Sequence, residues 1–322
     1  MIGEGPNSKR PRLKNIGIIK HGLHLNRVPD AEQENNYNMK DIITKIRPKK
    51  SYFFTFIVNE DFIRDIFSNH PEGLNDVHII LGVNANDIKE IKNNYFSNNI
   101  LKIEYVPMKD KYCSHHSKLT ILFDQNNKPH IIIGTGNMCA EEWNICTQAF
   151  YYATSNRRSA NNRQDNFLSD LKRYLIFFKR VMIPLISELL LWSFRHVKDS
   201  LIFSIPGIFH LTRFRKFYSF GKIQYLLTHE EGKEKSKDIK YLIGQCSSIG
   251  NLGIKSIPWL QKEFLHFMTN GQIKGIVNMK LIYPSIDNVK DSVSGYEGRK
   301  FFPYSLKINK RQYKYMRNIL HI

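Results

Sequence analysis

The feature that most constrains the fold is an alternation of strand-like and helix-like segments in the first third of the chain. Runs at 52–58, 77–83 and 100–106 are apolar and rich in β-branched or aromatic residues, as buried strands are. The segments between them, 61–67 and 87–95, have apolar residues at helical spacing. This β-α-β-α-β order predicts an α/β layered domain.

A hairpin is predicted next along the chain. Residues 115–123 and 129–135 are strand-like, and the polar residues between them are typical of a turn. Further strands are predicted at 145–153, 200–205, 241–247 and 277–283, and further helices at 39–46, 166–182, 183–194, 259–268 and 312–320.

These elements predict the domain organisation. Residues 1–14 are polar and basic and are expected to form a flexible tail. We place a first domain at 15–199 and a partial second domain at 200–322. The second series of strands resembles the first but stops early, and it has no equivalent of the hairpin.

The charge of the chain indicates a polyanionic partner. The sequence has 48 Lys and Arg against 29 Asp and Glu, a formal net charge of +19. Lys and Arg gain affinity by releasing counterions from phosphates, so nucleic acid is favoured. The alternative is a generally basic protein from a proteome rich in Lys and Asn.

The sequence contains no apolar signal-peptide core and no segment expected to span a membrane. Its most apolar helical stretch, 184–194, contains Glu188 and is far too short for a bilayer. The basic residues around Pro11 in 9–14 resemble a nuclear import signal, although short basic runs are common in basic proteins. We therefore expect a soluble, nuclear protein.

The cysteines do not predict a disulfide framework or a metal site. They have irregular spacing and no CxxC pair, as in proteins of a reducing compartment. Cys113, His115 and His116 could begin a metal site, but no second ligand pair follows at zinc-like spacing, so no metal and no cofactor is expected. The four cysteines are Cys113, Cys139, Cys146 and Cys246.

Two His-x-Lys triplets are candidates for chemistry. With 12 His in a Lys-rich chain, chance supplies on the order of one such triplet, so the spacing alone is weak evidence. His116-Ser117-Lys118 begins the predicted hairpin. His196-Val197-Lys198 ends a predicted helix, where two basic residues complement the helix dipole.

The first triplet has the groups that phosphoryl transfer needs. Residues two apart on a strand point to the same face, so His116 and Lys118 are expected to lie side by side. If Phe123 pairs with Pro129, His116 lies opposite Gly136 and Lys118 lies opposite Gly134. These glycines leave room for a substrate group, and Asn137 lies diagonal to His116. A nucleophile, a fixed cation and an amide donor then surround one point. The alternative is a structural strand histidine.

These residues resemble the first half-site of the phospholipase D superfamily, which uses paired His-x-Lys motifs. The resemblance is closest to the tyrosyl-DNA phosphodiesterase family, in which Asn follows the motif. It rests on Tyr112 to Lys118, on Gly134-Thr135-Gly136-Asn137, and on Trp143 with Thr147-Gln148. It continues in the segments 244–250, 281–285, 295–296 and 303–305, and covers the chain from about residue 16 onward.

The resemblance implies a fold of two α-β-α layered domains of phospholipase D type. It implies that His116 is the nucleophile that forms a phosphohistidine with the DNA 3′ end. Lys118 and Asn137 would bind the phosphate oxygens, and Gln148 would support His116. The implied activity is repair of DNA 3′ ends that carry a tyrosine of a topoisomerase I-type adduct or another block.

Three further residues are substrate-binding candidates by the same resemblance. Tyr112 lies where the family has an aromatic residue against DNA, although it would equally suit a half-exposed strand. Ser248 and Pro303 match positions that line the DNA or peptide side. Ser248 can donate to a phosphate, whereas Pro303 also suits a simple turn.

The chain departs from the family pattern because no second His-x-Lys motif follows residues 295–305. That motif would protonate the leaving group and then activate water, so we expect impaired turnover or a trapped adduct. Three explanations stay open: a fragment of a complete enzyme, a single-motif protein that dimerises, or a non-catalytic DNA-binding remnant. A phospholipase at membranes is a further alternative. The sequence does not predict the oligomeric state.

Overall fold

A mixed seven-stranded sheet forms the centre of the first of two units into which the contacts of the chain divide. In this computed structural model the first unit comprises Met1–Pro107 and Ser114–Thr154, and the second comprises Met108–Cys113 and Ser155–Ile322. The structure describes residues 19–28, 36–84, 101–108, 114–158, 164–205, 215–229, 239–252, 259–272, 278–292 and 294–321.

The sheet has the strand order β1-β7-β6-β5-β2-β3-β4. Strand β2 pairs parallel with β3 and antiparallel with β5, and β5, β6, β7 and β1 continue antiparallel. The strands are β1 Gly22–Leu25, β2 Lys50–Thr55, β3 Val77–Asn84, β4 Leu101–Met108, β5 Leu119–Phe123, β6 Pro129–Gly134 and β7 Ala149–Thr154.

Two capped helices cover one face of this sheet. Helix α1 (Met39–Ile46) begins with a capping box, in which Asn38 Oδ1 accepts from Asp41 N and Asp41 Oδ2 accepts from Asn38 N, both at 2.9 Å. Helix α2 (Glu60–Ile66) is capped by Asn59, whose Oδ1 accepts from Phe62 N. Their apolar sides join the buried core with strand residues Phe53, Val77 and Ile79. A third, short helix, α3 (Ala140–Asn144), lies between β6 and β7.

The second unit has short strands and more helices. Its three-stranded sheet is parallel, in the order β10-β11-β12, and a separate pair, β8 and β9, is antiparallel. The strands are β8 Asn156–Arg157, β9 Trp192–Ser193, β10 Leu242–Gln245, β11 Met279–Ile282 and β12 Leu320–His321. The helices are α4 Asn166–Ile176, α5 Ile183–Leu189, α6 Ser219–Thr228, α7 His266–Met268, α8 Ile286–Lys290 and α9 Leu306–Met316, with a π-helical segment at Leu260–Leu265.

The domain boundary predicted near Asp199 lies inside the second unit. Helices α4 and α5 lie in the second unit, whereas the sequence places them in the first domain, and the domain limits stay a prediction. Phe167 of α4 stacks on Phe194 at 5.2 Å between ring centroids. Asp170 of α4 forms a buried ion pair with Lys222 of α6 at 3.2 Å. These contacts are between residues distant in sequence, so local patterns do not reveal them.

Most predicted elements are confirmed with shifted ends. The strands at 52–58, 77–83 and 100–106 correspond to β2, β3 and β4, and the hairpin to β5 and β6. The helix predicted at 87–95 and the tail at 1–14 lie outside the described residues.

The strand predicted at 200–205 is wrong. These residues pair with none of the described strands, and Leu201 is simply buried within the unit. An apolar run alone does not supply a partner for its backbone. The strand predicted at 145–153 begins only at Ala149, since α3 and a turn occupy the residues before it. None of the described helices has the length and apolar character that crossing a bilayer requires.

Candidate active site

The first His-x-Lys triplet lies just before β5, with its cation against its imidazole. Lys118 Nζ donates to His116 Nδ1 at 2.8 Å and to His116 O at 3.1 Å. The His116 side chain is exposed and Lys118 is half-buried. The expectation of a strand through this segment is wrong, because β5 begins at Leu119. Proximity of the two groups is therefore maintained by direct hydrogen bonds rather than by strand alternation.

The predicted register of the hairpin is confirmed. Phe123 pairs with Pro129, and Gly134 N donates to Lys118 O at 2.9 Å. The pairing ends at that point, so the predicted position of His116 opposite Gly136 lies beyond the ladder. The triplet thus leaves the sheet at the position where β6 also ends.

His115 anchors the triplet in the first unit. It is 7% exposed and lies on Gly82 of β3, where an added Cβ would stand 2.0 Å from His115 Cβ. Burial, followed by the charges of the neighbouring Lys118 and His116, lowers the pKa of His115 to about 4. His115 is therefore neutral at pH 7 and holds the backbone that presents His116.

Asn137 is fixed by hydrogen bonds from two directions. Its Oδ1 accepts from the backbone N–H groups of Phe56 and Ile57, at 3.2 Å each, beyond the end of β2. Its Nδ2 and its backbone N donate to the two carboxylate oxygens of Glu142, at 2.7 and 2.6 Å. Asn137 is 5% exposed. A primary amide has two N–H groups, so Glu142 uses only one of them.

Glu142 of α3 connects the site residues, and sequence reasoning missed it. It accepts from the backbone N and from Nδ2 of Asn137, and its charge raises the pKa values of His116 and Lys118 against the effect of burial. The only sequence signal was an acidic residue in a Glu-Glu-Trp segment shortly after the Gly-Thr-Gly-Asn turn. Its role depends on α3, a helix that the sequence analysis did not predict.

The protonation states of the pair suit nucleophilic attack on an anion. Burial, followed by the charge of Lys118, lowers the pKa of His116 below its usual 6.5. Burial lowers the pKa of Lys118 to about 8, with Glu142 opposing. Near pH 7 the imidazole is therefore neutral, with an electron pair, while most Lys118 is still cationic.

Gln148 lies near the site but contacts other partners. Its Oε1 accepts from Thr135 Oγ1, and its backbone N donates to Asn26 Oδ1 at 2.7 Å. Within the described segment 114–158 its side chain hydrogen-bonds Thr135 rather than His116. The implied support of His116 by Gln148 stays a prediction.

The two glycines do not open space beside the cationic pair, contrary to the sequence interpretation. An added Cβ on Gly136 would first meet Gln148 Cγ at 3.3 Å and Trp143 Nε1 at 3.4 Å. On Gly134 it would first meet Ala149 O at 3.5 Å. Both positions face neighbouring protein, so Gly136 serves close packing under Gln148 and Trp143.

An exposed aromatic ring lies beside the candidate nucleophile. The ring of Phe56 is 5.0 Å from that of His116 between centroids, and Phe56 is 43% exposed. The sequence placed it within an apolar strand run and gave no reason to separate it from its neighbours. It adds a planar apolar surface next to the imidazole.

The remaining predicted residues lie elsewhere. Tyr112 is outside the described residues. Ser248 and Pro303 are both exposed in the second unit, and the structure brings them together, since Ile249 N donates to Pro303 O at 3.4 Å. Their substrate-binding roles stay predictions. His196 lies in a turn after β9 rather than at a helix end, and its ring contacts Asn156.

Across the described residues, no group of three or more His, Cys, Asp or Glu side chains is arranged to hold a metal ion. The site presents a neutral imidazole, an ammonium and an amide N–H. These groups suit attack on a phosphorus atom whose oxygens are negatively charged.

The comparisons with known proteins agree with this chemistry. The family model described as tyrosyl-DNA phosphodiesterase matches residues 22–322. The chain is similar to a probable tyrosyl-DNA phosphodiesterase of Caenorhabditis elegans, with 26% identity over 292 residues, covering 88% of this chain and 64% of that protein. It is also similar to tyrosyl-DNA phosphodiesterase 1 of Drosophila melanogaster, with 24% identity over 220 residues, covering 64% of this chain and 38% of that protein. The chain thus spans less than two thirds of the length of these relatives.

Solved structures show the fold. The crystal structure of the yeast tyrosyl-DNA phosphodiesterase superposes with a TM-score of 0.71 at 18% identity, covering 92% of this chain and 73% of that chain. The predicted α/β fold of phospholipase D type is therefore confirmed.

Proposed function

Because the chain belongs to the tyrosyl-DNA phosphodiesterase family, we propose that it attacks the phosphodiester that joins a DNA 3′ end to a tyrosine or another blocking group. The observation that carries this proposal is the 2.8 Å contact between Lys118 Nζ and His116 Nδ1, on a neutral imidazole at the protein surface. The substrate class is supported by the family and by the net charge of +19.

The first step forms a phosphohistidine. An ammonium can only donate, so Nδ1 of His116 is the acceptor and the neutral ring carries its proton on Nε2. When a phosphodiester enters, Lys118 transfers its hydrogen bond to a phosphate oxygen and releases the electron pair of Nδ1. Nδ1 then attacks phosphorus, the bond from phosphorus to the tyrosyl oxygen breaks, and the phenolate leaves with the electron pair of that bond. The imidazole loses its N–H proton to solvent or to the phenolate.

Asn137 and Lys118 stabilise the charge that develops on the phosphate oxygens. Glu142 occupies one N–H of the Asn137 amide and thereby fixes the direction of the other. A donor that is held in place before the reaction costs no reorganisation when charge develops. Loss of one such donor typically slows a reaction about 10²- to 10³-fold.

The second step, hydrolysis of the phosphohistidine, needs a base that activates water. His196, in the other His-x-Lys triplet of residues 1–322, lies in an exposed turn of the second unit. Loss of a positioned acid or base typically lowers the reaction rate about 10²- to 10⁴-fold. For the polypeptide of residues 1–322 we therefore expect adduct formation to outpace release. We extend the proposal to DNA repair and to a nuclear location, supported by the basic segment 9–14.

The test is to mix the protein with a 3′-phosphotyrosyl oligonucleotide labelled at its 5′ end, without added metal, and to quench in denaturant. We expect release of tyrosine to stop near one equivalent, with an acid-labile, alkali-stable label on the protein. His116→Ala should abolish the label. His196→Ala, the matched histidine of the other triplet, should leave it unchanged. Absence of any label with wild-type protein that binds the oligonucleotide would favour a DNA-binding remnant instead.

A further inference from the structure

The second unit contains a cleft whose lining has no part in the chemistry at His116. Its volume is about 240 Å³, and it lies between the first turns of α4 and the chain that runs from the end of α5 through β9. Three basic side chains line it, Arg158, Lys172 and Arg195, together with one carboxylate, Asp165. The lining is therefore cationic in net charge.

The single carboxylate of the cleft already has structural partners. Asp165 is the N-cap of α4, and its Oδ1 accepts from Leu168 N at 2.9 Å. Its Oδ2 accepts from Phe194 N at 2.7 Å and from Ser193 Oγ at 3.3 Å. These donors partly offset its charge, so the three basic groups determine which ligand the cleft prefers.

Helix α4 separates its charges between two faces. Leu168, Ser169 and Lys172 follow Asp165 at spacings of three, four and seven residues, which places them on the face that lines the cleft. Asp170 is directed to other partners, Arg173 at 2.7 Å and Lys222 at 3.2 Å. The acidic residue of the helix therefore does not neutralise Lys172 at the cleft.

The cleft also contains an aromatic surface and a fixed guanidinium. Trp192 of β9 lines it and is half-buried. Arg158 Nη1 donates to Leu190 O at 2.8 Å, which uses one of the five guanidinium donors and holds the group in place. Basic groups that follow a backbone together with an aromatic face on which a base stacks are the features of single-strand nucleic-acid sites.

We propose that this cleft binds a phosphodiester of the single-stranded DNA substrate, with the adjoining base on Trp192. The proposal rests on the proposed DNA substrate class. A volume of about 240 Å³ is below the ~300–1,000 Å³ of sites that enclose a drug-sized ligand, so it suits one phosphate and part of one nucleotide of a longer strand. The remainder of the strand stays outside the cleft.

The decisive experiment measures binding of a fluorescent single-stranded oligonucleotide by anisotropy between 50 and 300 mM salt, roughly the range in which counterion release is resolved. The variant is Arg158→Gln, Lys172→Gln and Arg195→Gln combined. The matched control removes the same charge from exposed, ion-paired residues: Arg47→Gln, Lys290→Gln and Arg299→Gln. For single strands each neutralised phosphate contributes about 0.7 to the salt slope, so loss of the one phosphodiester that the cleft holds should lower the slope by about 0.7 relative to the matched control.

Substitution of the aromatic residue tests the stacking part. Trp192→Ala should weaken oligonucleotide binding about 5- to 150-fold, whereas Trp192→Phe should retain most of it. Thermal unfolding of each variant checks that it folds. If either cleft variant unfolds, acrylamide quenching of Trp259→Phe protein replaces it. Trp143 is buried, so Trp192 is then the accessible tryptophan, and added oligonucleotide should protect its emission. Absence of that protection would overturn the proposal.

The outcomes separate this proposal from the proposed function. Equal affinity and salt slope in the cleft variant and the matched control would overturn the cleft proposal, whatever happens at His116. Inorganic phosphate or a mononucleotide that competes at micromolar concentration would show a small-anion site and would also overturn it. Normal cleft-dependent binding without a protein–DNA adduct would refute the catalytic proposal and support the cleft. If the protein showed neither cleft-dependent binding nor a protein–DNA adduct, DNA would not be its ligand.

Discussion

The ammonium of Lys118 should limit adduct formation at alkaline pH, well below the pH at which an ordinary lysine loses its proton. Burial lowers the pKa of this group from 10.5 to about 8. In the proposed first step the charge on Lys118 holds the phosphate, so its loss would remove a charge-assisted hydrogen bond. The pKa of His116 is also lowered, so the imidazole is deprotonated across this range and does not cause the alkaline decline.

The magnitude follows from the protonated fraction of Lys118. With a pKa of about 8, roughly nine tenths of the lysine is charged at pH 7 and roughly one tenth at pH 9. The second-order rate constant at low substrate reports the pKa values of the free protein. It should therefore fall about tenfold from its plateau by pH 9. On the acid side the decline should begin below pH 6.5, since protonation of His116 removes the nucleophile.

The assay is single-turnover adduct formation with a 3′-phosphotyrosyl oligonucleotide at limiting concentration, from pH 5 to 10 at constant ionic strength. Glu142→Gln removes the charge that raises the pKa of Lys118, so the alkaline decline should move to lower pH. The matched control is Glu141→Gln, which removes the same charge from the same helix. Glu141 does not contribute to the pKa of Lys118, so the profile should not move.

Two results would refute this reasoning. An alkaline decline near pH 10 would show that Lys118 is not desolvated as the structure shows. Equal shifts in Glu142→Gln and Glu141→Gln would show a general effect of net charge rather than a local effect of Glu142. Binding of the oligonucleotide must be measured over the same pH range, because affinity for DNA also depends on lysine protonation.

Two substitutions test the supports of the site by stability. Gly82→Ala places a Cβ 2.0 Å from His115 Cβ, so it should lower the free energy of unfolding by about 3 kcal/mol or more and reduce adduct formation. Gly250→Ala has open space around its Cβ, so it should change neither the stability nor adduct formation. Glu142→Ala leaves two donors of the buried Asn137 without their acceptor and should cost about 2–4 kcal/mol in urea unfolding. Unchanged stability in either variant would contradict the corresponding contact.

Local patterns in the sequence predicted the sheet and its central hairpin. The apolar runs gave β2, β3 and β4, and the turn before Pro129 set the register that continues to Lys118 and Gly134. Register was predictable because the loop length fixes which residues face each other. Helix α1 was predictable because Asn38 and its apolar spacing mark a start.

The sequence predicted which residues form the site but not the contacts that hold them together. The motif identified His116, Lys118 and Asn137, but the proximity of the first two depends on a hydrogen bond outside the strand. Glu142 and Phe56 were missed because their roles depend on contacts. Glu142 accepts from Asn137, five residues away, from a helix that the sequence did not predict, and Phe56 lies beside the imidazole ring of a distant segment. Such contacts join segments distant in sequence or element type, and no local periodicity encodes them.

The groups to which we assign the proposed first step all belong to the first unit. His116 and Lys118 precede β5, Asn137 follows β6, and Glu142 lies on α3. The pKa values that make attack possible arise from burial and from charges within this same set. Substitutions at the cleft of the second unit should therefore change affinity for DNA and leave the pH profile of adduct formation in place. A cleft variant that shifted both would mean that strand binding and the protonation of Lys118 are coupled, and the local origin of these pKa values would have to be abandoned.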